Sequence, residues 1–223
     1  MGTDLPLDLL VFDLDGTLID SSRDLADAIN ALIAGYGGVP LSVDAVTAMV
    51  GDGAAVLVRR ALAAAGLDPA APGALDRFLA HYDTRLTAFT RPYAGIPDAL
   101  AALDDRRRTL GVLTNKPAQA TARILEALDL APFFSDVVGG DTVVGRKPDP
   151  AGLLGMIARA GAAPSTTILV GDSPVDLETA RRAGARICLA RYGFGYRFDG
   201  HRFRGDELFV DSPADLHRLP GLI

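Results

Sequence analysis

Val11-Phe12-Asp13-Leu14-Asp15-Gly16-Thr17-Leu18 decides how this chain is read. The apolar run from Leu9 to Phe12 is short, as a strand buried on both faces of a parallel sheet would be. It delivers two aspartates one residue apart, with a glycine directly behind them. Side chains alternate along a strand, so Asp13 and Asp15 start on the same side as the chain leaves the sheet. Two carboxylates held that close repel each other, and a hard cation such as Mg2+, which prefers oxygen ligands, relieves the repulsion. Gly16 permits a sharp turn that a bulkier residue resists. The same letters also fit an ordinary Asp-Gly turn on the surface. A calcium loop fits less well, because it needs a glycine at its sixth position and Gly16 is the fourth residue counted from Asp13.

Outward from this stretch the chain divides by pattern. Residues 7–12 read as the first strand. Ser21-Ser22 offers a cap for a helix from Arg23 to Ala34, with apolar Leu25, Ala28, Ile29 and Leu32 on one face. Further helices are expected over Ser42 to Met49, Ala54 to Ala65 and Leu75 to Phe89, with Gly51-Asp52-Gly53 as a turn and no strand between residues 20 and 90. From Arg91 strands alternate with helices. The expected strands are Leu110 to Leu113, Asp136 to Val138, Ile168 to Val170, Ile187 to Ala190 and Leu208 to Val210. The helices between them are Ile96 to Leu103, Ala118 to Leu128, Leu153 to Ala160 and Pro174 to Ala183. This alternation predicts an α/β fold: a Rossmann-like core with a parallel sheet covered on both faces, interrupted by an all-helical block. The core is expected over 1–18 and 91–223, and the helical block over 19–90.

Composition narrows the function. A length of 223 residues allows one large domain or one domain with an insertion. The net charge of −6 argues against a nucleic-acid partner. There is no long uncharged apolar run for a membrane span, and residues 1–10 carry no basic residue of the kind that opens a signal peptide. The single cysteine, Cys188, lies in an apolar strand pattern, reads as core packing, and suits a reducing cytoplasm. Of the 22 basic residues only Lys116 and Lys147 are lysines. Arginine does the generic surface work, so these two positions are expected to be reserved for a compact point charge. His81, His201 and His217 are scattered without metal-binding spacing and read as surface or structural.

In open parallel sheets ligands bind beyond the carboxyl ends of the strands. Three strands here end in polar clusters, Asp13/Asp15, Thr114/Asn115 and Asp172, and Lys147 sits on a loop before the next helix. Gathered on one edge, three aspartates, a hydroxyl, an amide and an ammonium suit a phosphoryl group held with Mg2+. Asp13, at the strand end, is placed to attack phosphorus. Asp15, nearer solvent, is placed to protonate the leaving oxygen and then to activate water.

Asp13-Leu14-Asp15-Gly16-Thr17, Thr114-Asn115, Lys147-Pro148 and Gly171-Asp172-Ser173 with Asp176 resemble, in order, the four motifs of the haloacid dehalogenase-like hydrolases. The resemblance covers nearly the whole chain. It implies that Asp13 is nucleophile and metal ligand, and that Asp15 is the general acid–base and gives its backbone carbonyl to the metal. Thr114 and Asn115 would bind the phosphoryl group, and Lys147 would neutralise it and orient Asp13. Asp172 would be a direct metal ligand, and Asp176 would act from behind, on metal water or on Lys147. The helical block is similar to the small cap of one subgroup, in which a turn like Gly51-Asp52-Gly53 lies over the substrate. Whether Asp52, Arg59 or Arg60 touches substrate stays open, and Lys116 reads as a loop lysine near the site.

Within that family, Asp15 argues against the true dehalogenases, which lack the second aspartate. The absence of lysine from the helical block argues against the phosphonate-cleaving relatives, which need a Schiff-base lysine there. The likeness runs furthest toward the phosphoglycolate phosphatases, through Arg91-Pro92-Tyr93-Ala94-Gly95, Leu113-Thr114-Asn115-Lys116-Pro117, Gly139-Gly140-Asp141-Thr142, Arg146-Lys147-Pro148-Asp149-Pro150 and Tyr192-Gly193-Phe194-Gly195. The expectation is a Mg2+-dependent phosphomonoesterase, working through an aspartyl-phosphate on a small phosphorylated metabolite, with 2-phosphoglycolate first. It would act as a cytoplasmic monomer or homodimer, with no nucleic-acid or membrane partner. A phosphatase for another ester or pyrophosphate, a sugar phosphomutase and a non-catalytic phosphometabolite binder are the alternatives.

Overall fold

A computed structural model describes residues 6–104, 108–142, 145–219 and 221. The extreme ends of the expected core and residues 143–144 of the Lys147 loop lie outside the described residues. Strand β1 (Leu9–Phe12) is buried along its whole length. Alternation sends Leu10 and Phe12 into one hydrophobic cluster, and Leu9 and Val11 into another on the opposite face. After the aspartate turn come β2 (Ile19–Asp20), α1 (Ser22–Gly35), α2 (Val43–Thr47), α3 (Ala54–Ala64) and α4 (Ala74–Asp83), and then β3 (Arg91–Pro92). The remainder alternates: α5 (Ile96–Asp104), β4 (Thr109–Leu113), α6 (Ala118–Ala127), β5 (Asp136–Val138), α7 (Ala151–Ala160), β6 (Thr167–Gly171), α8 (Pro174–Ala183), β7 (Arg186–Ala190) and β8 (Leu208–Val210).

Six strands form one sheet in the order β5-β4-β1-β6-β7-β8, with every neighbouring pair parallel. Apolar residues of α7 and α8 cover one face, among them Leu153, Met156 and Leu177. Those of α5 and α6 cover the other, where Leu100 and Ile124 join the cluster that also fills the helical block. The fold is thus α/β and Rossmann-like with an all-helical insertion. From β1 the chain builds outward through β4 and β5 on one side and through β6, β7 and β8 on the other. The carboxyl end of β1 is therefore the point where strand order reverses, and a crevice opens there. Among the described residues no helix is long and apolar enough to cross a membrane.

Several local expectations are corrected. The expected first strand over residues 7–12 is ordered as a strand only from Leu9. The second helix ends at Thr47, with Ser42 as its cap, its side chain accepting from Ala45 N at 3.2 Å. The helix expected to run from Leu75 to Phe89 stops at Asp83. The cause lies on α1. Asp24, fully buried, accepts hydrogen bonds at one oxygen from Phe89 N (2.8 Å), Thr90 N (2.7 Å) and Thr90 Oγ1 (2.8 Å), which bends the chain back toward the core. The two segments that enter and leave the helical block also pair as a short antiparallel ribbon, Ile19 opposite Pro92 and Asp20 opposite Arg91. Two-residue strands carry too little periodicity to be read from sequence. Cys188 is buried in β7 as expected, and burial pushes its thiol up to about 12.

Two predictions follow from these anchors. Removing the shared acceptor in Asp24→Ala leaves three donors without their charged partner and is expected to cost about 3 kcal/mol; urea unfolding followed by circular dichroism measures it. Glu207 is the second anchor. Burial alone would raise its carboxyl, but the N–H groups of Arg204 and Gly205 and the Arg181 guanidinium hold it down to about 2 from an ordinary 4.5. A lowered folded-state pKa gives stability that is present above pH 4.5 and is lost as pH falls through about 2. Glu207→Gln is expected to lower stability by about 1–2 kcal/mol at neutral pH, discounted for nearby solvent. The gap to the wild type should close between those two pH values in thermal melts; a gap that stays constant would remove this account.

Candidate active site

Strands β1, β4 and β6 lie side by side with Phe12, Val112 and Val170 in register, so their carboxyl ends finish together. Asp13 continues the ladder for one more bond, its N–H donating to Val170 O at 2.8 Å. That bond fixes where the Asp13 carboxylate leaves the sheet. Asp172 follows β6, and Asp176 lies in the first turn of α8. Ser173 caps that helix: its hydroxyl accepts from Asp176 N at 3.3 Å, while Asp176 Oδ2 accepts from Ser173 N (3.1 Å) and Ser173 Oγ (2.6 Å). The cap is therefore Ser173, which leaves the Asp172 carboxylate for the site. A Cβ on Gly171 would come within 2.3 Å of Asp176, so only glycine lets the helix start this close to the strand.

Lys147 is buried between two of these carboxylates, its Nζ 2.8 Å from Asp13 Oδ1 and 2.7 Å from Asp176 Oδ1. Burial works against its charge, but Asp13 and Asp176 outweigh that, and its pKa lies above the ordinary lysine value. One ammonium among three buried carboxylates leaves an excess of negative charge. Asp13 is accordingly pushed up to about 6, first by burial and then by Asp176 and Asp15, against the opposing pull of Lys147. Asp172 is raised well above its ordinary value by burial and by the neighbouring Asp176 and Asp13. Carboxylate oxygens of Asp13, Asp172 and Asp176 lie within 4.8 Å of one another. An all-oxygen donor set with uncompensated negative charge fits a hard divalent cation. The surroundings are shaped to match. Gly16 has φ +86°, and a Cβ there would meet Asp172 Oδ2 at 1.9 Å. Gly195 N donates to the same oxygen at 2.7 Å.

The structure separates the two aspartates of the opening motif. The Asp15 side chain does not join the carboxylate cluster. Its two oxygens accept from Lys116 Nζ at 2.8 and 2.9 Å, and Oδ1 also accepts from Ser21 Oγ at 2.5 Å. The repulsion between neighbouring aspartates is thus relieved for Asp15 by a lysine, because the Gly16 turn lets its side chain diverge from that of Asp13. Ser21 stands at the cap position of α1, but its hydroxyl serves Asp15 rather than the helix. Lys116, read from sequence as a nearby loop lysine, is buried in direct contact with the site. The clue was available: the chain has only two lysines, and both are here.

Thr114 Oγ1 accepts from Lys116 N at 3.2 Å and faces the cavity. Asn115 uses its side-chain amide to donate to Gly51 O (2.8 Å) and Lys147 O (2.9 Å). Both amide hydrogens are therefore engaged, and the residue ties the Gly51-Asp52-Gly53 turn to the Lys147 loop. Gly51 and Gly53 line the cavity, whereas Arg59 and Arg60 are exposed and do not. Arg60 instead pairs with Asp52 at 2.6 Å. The far wall is supplied by the helical block, through Leu25, Val50, Leu57, Phe78, Leu79 and Tyr82. Phe194 closes one side, on the loop whose glycines pack against Asp172. The histidines take no part in this cavity, in keeping with their surface reading.

Known proteins resemble this chain in sequence and fold. A family model described as haloacid dehalogenase-like hydrolase matches residues 10–190. A Rhodospirillum rubrum protein named phosphoglycolate phosphatase is 44% identical over 222 residues, covering 92% of each chain. A phosphoglycolate phosphatase of Pseudomonas syringae pv. tomato is 38% identical, covering 96% of this chain and 79% of the relative. A crystal structure from Haemophilus somnus, described as a "predicted phosphoglycolate phosphatase", superposes with a TM-score of 0.87 at 30% identity, covering 95% of this chain and 97% of the other. The family match begins inside β1 and ends with the last residue of β7, spanning Asp13, Asp15, Thr114, Asn115, Lys147, Asp172 and Asp176: the chain belongs to the haloacid dehalogenase-like hydrolases.

Proposed function

We propose that this protein is a Mg2+-dependent phosphomonoesterase that hydrolyses 2-phosphoglycolate through an aspartyl-phosphate on Asp13. The observation that carries this reading is the pairing of two unlike aspartates at the end of one strand. Asp13 lies among carboxylates beside Lys147, and Asp15 is held apart by Lys116 and Ser21. One is arranged to sit against a metal-bound phosphoryl group and the other to move protons beside it. The names of the relatives support the choice of substrate.

The residues divide the work as follows. Lys147 holds Asp13 in place and neutralises charge on the phosphoryl oxygens. An oxygen of Asp13 forms a bond to phosphorus as the bond from phosphorus to the leaving oxygen breaks, and that oxygen takes a proton from Asp15. Asp15 then removes a proton from water, which attacks the aspartyl-phosphate, releases inorganic phosphate and restores Asp13. Thr114 offers its hydroxyl to the phosphoryl group, and Asn115 braces the loop that carries Lys147. Asp13, Asp172 and the backbone carbonyl of Asp15 would hold Mg2+, with Asp176 behind them. The ion would supply positive charge to the phosphoryl oxygens. Residues 19–90 act as a cap on a core of 1–18 and 91–223. The cap closes over the substrate and opens for release by movement at the β2–β3 ribbon. The Asn115–Gly51 hydrogen bond and the contact of Tyr82 with the Lys116 side chain support this, since both join cap to core.

Asp13→Asn is expected to remove turnover by at least about 1,000-fold, as loss of a nucleophile does, while leaving the circular dichroism spectrum unchanged. Appreciable residual phosphate release would exclude Asp13 from that role. Phosphate release from a panel of small phosphomonoesters should favour 2-phosphoglycolate, stop with chelator, and return with added Mg2+. Asp172→Ala should shift that Mg2+ titration to much higher concentration, and an unchanged titration would exclude Asp172 as a ligand.

A further inference from the structure

The mechanism leaves two polar groups of the cavity without full employment, and they are neighbours. Among the described residues lining the cavity, Lys116 is the one cation. Two of its three ammonium hydrogens go to Asp15. Its Nζ lies 4.7 Å from the ring centre of Tyr82 on α4. Tyr82 is 4% exposed, and its hydroxyl proton finds no acceptor in the protein. A buried hydroxyl without a partner carries an uncompensated desolvation cost, which a ligand atom can relieve. Burial pushes the phenol up to about 12, so it stays a donor at neutral pH. The rest of this wall is apolar: Leu25, Val50, Leu57, Phe78 and Leu79 offer no side-chain hydrogen bond to a sugar hydroxyl.

We infer that Lys116 and Tyr82 together form the subsite for a carboxylate carried by the leaving group, and that this subsite sets substrate choice. The inference deepens the phosphomonoesterase reading and rests on it. Asp15 must touch the leaving oxygen to give it a proton, and Lys116 touches Asp15. A carboxylate one carbon away from the leaving oxygen, as in the ester of a 2-hydroxy acid, comes within reach of that ammonium and of the tyrosine hydroxyl beside it. A neutral group in the same place meets two donors, one of them charged, that it cannot satisfy equally well. A polyhydroxylated leaving group meets apolar side chains where its hydroxyls need partners.

The test compares kcat/KM for 2-phosphoglycolate and for 2-hydroxyethyl phosphate, an ester of the same length with an uncharged leaving group, in the Mg2+-loaded wild type, Tyr82→Phe, Lys116→Gln and Lys116→Arg proteins. The wild type should prefer 2-phosphoglycolate. Tyr82→Phe removes a hydroxyl with no protein acceptor, so its thermal midpoint should not fall, yet the preference should drop about tenfold, the value of one hydrogen bond to a charged group. Lys116→Gln should lower turnover of both esters through Asp15 and abolish the preference; Lys116→Arg should restore part of it. An equal rate on both esters in the wild type, or a preference ratio unmoved by Tyr82→Phe and Lys116→Gln, leaves the phosphatase standing and overturns the subsite. Turnover of neither ester overturns the phosphatase reading for this substrate, and the subsite falls with it.

Discussion

Three carboxylates and one ammonium are buried together at the end of β1, and much of the structure serves to keep them there. Like charges in a poorly solvated pocket repel strongly, and a single lysine cannot neutralise three of them. The raised pKa values of Asp13 and Asp172 reflect burial first and then that imbalance. It persists because each carboxylate is fixed by something stiffer than itself. Asp13 is fixed by a ladder bond to β6, Asp176 by the helix cap it shares with Ser173, and Asp172 by a backbone N–H from the 192–195 loop. The oxygen donor set suits a divalent cation, whose charge would offset the excess.

Asp15 shows how one turn gives two adjacent aspartates different chemistry. The Gly16 turn sends it toward Lys116 and Ser21, out of the carboxylate cluster. Its partner lysine also lies against a tyrosine of the helical block. In the proposed reaction, proton transfer, leaving-group recognition and closure of the cavity would meet within this one small group of side chains. The helical block contributes mostly apolar surface, and the sheet edge contributes nearly all the charge. Tyr82, Ser21 and the Gly51 carbonyl are exceptions to that division, and each touches a core residue of the site.

Most of the fold was legible because its signals are local. The strands of the sheet announce themselves as short apolar runs that end in polar residues. The helices show their buried faces at helical spacing, and β5, α8 and β8 fall where pattern alone puts them. The misreadings share a different cause. The end of α4 is set by Asp24, more than fifty residues earlier in the chain, and β2 and β3 are strands only because they lie beside each other. No window of sequence contains both halves of such an interaction.

The same division applies to the site. Sequence by itself determined which residue types end the central strands, the order of the motifs, the family to which they point and the unusual sparing of two lysines. Those facts are written in neighbouring letters, and the sheet edge follows from them by strand direction alone. Only the tertiary structure decided which lysine serves which aspartate, and that the Asn115 amide braces two loops. Only it brought a tyrosine with an idle hydroxyl beside Lys116, and the N–H of Gly195 onto Asp172. Each of these joins segments far apart in the chain. Their partnership depends on how turns aim the side chains and on what the buried pocket leaves unsatisfied, and both are properties of the packed molecule.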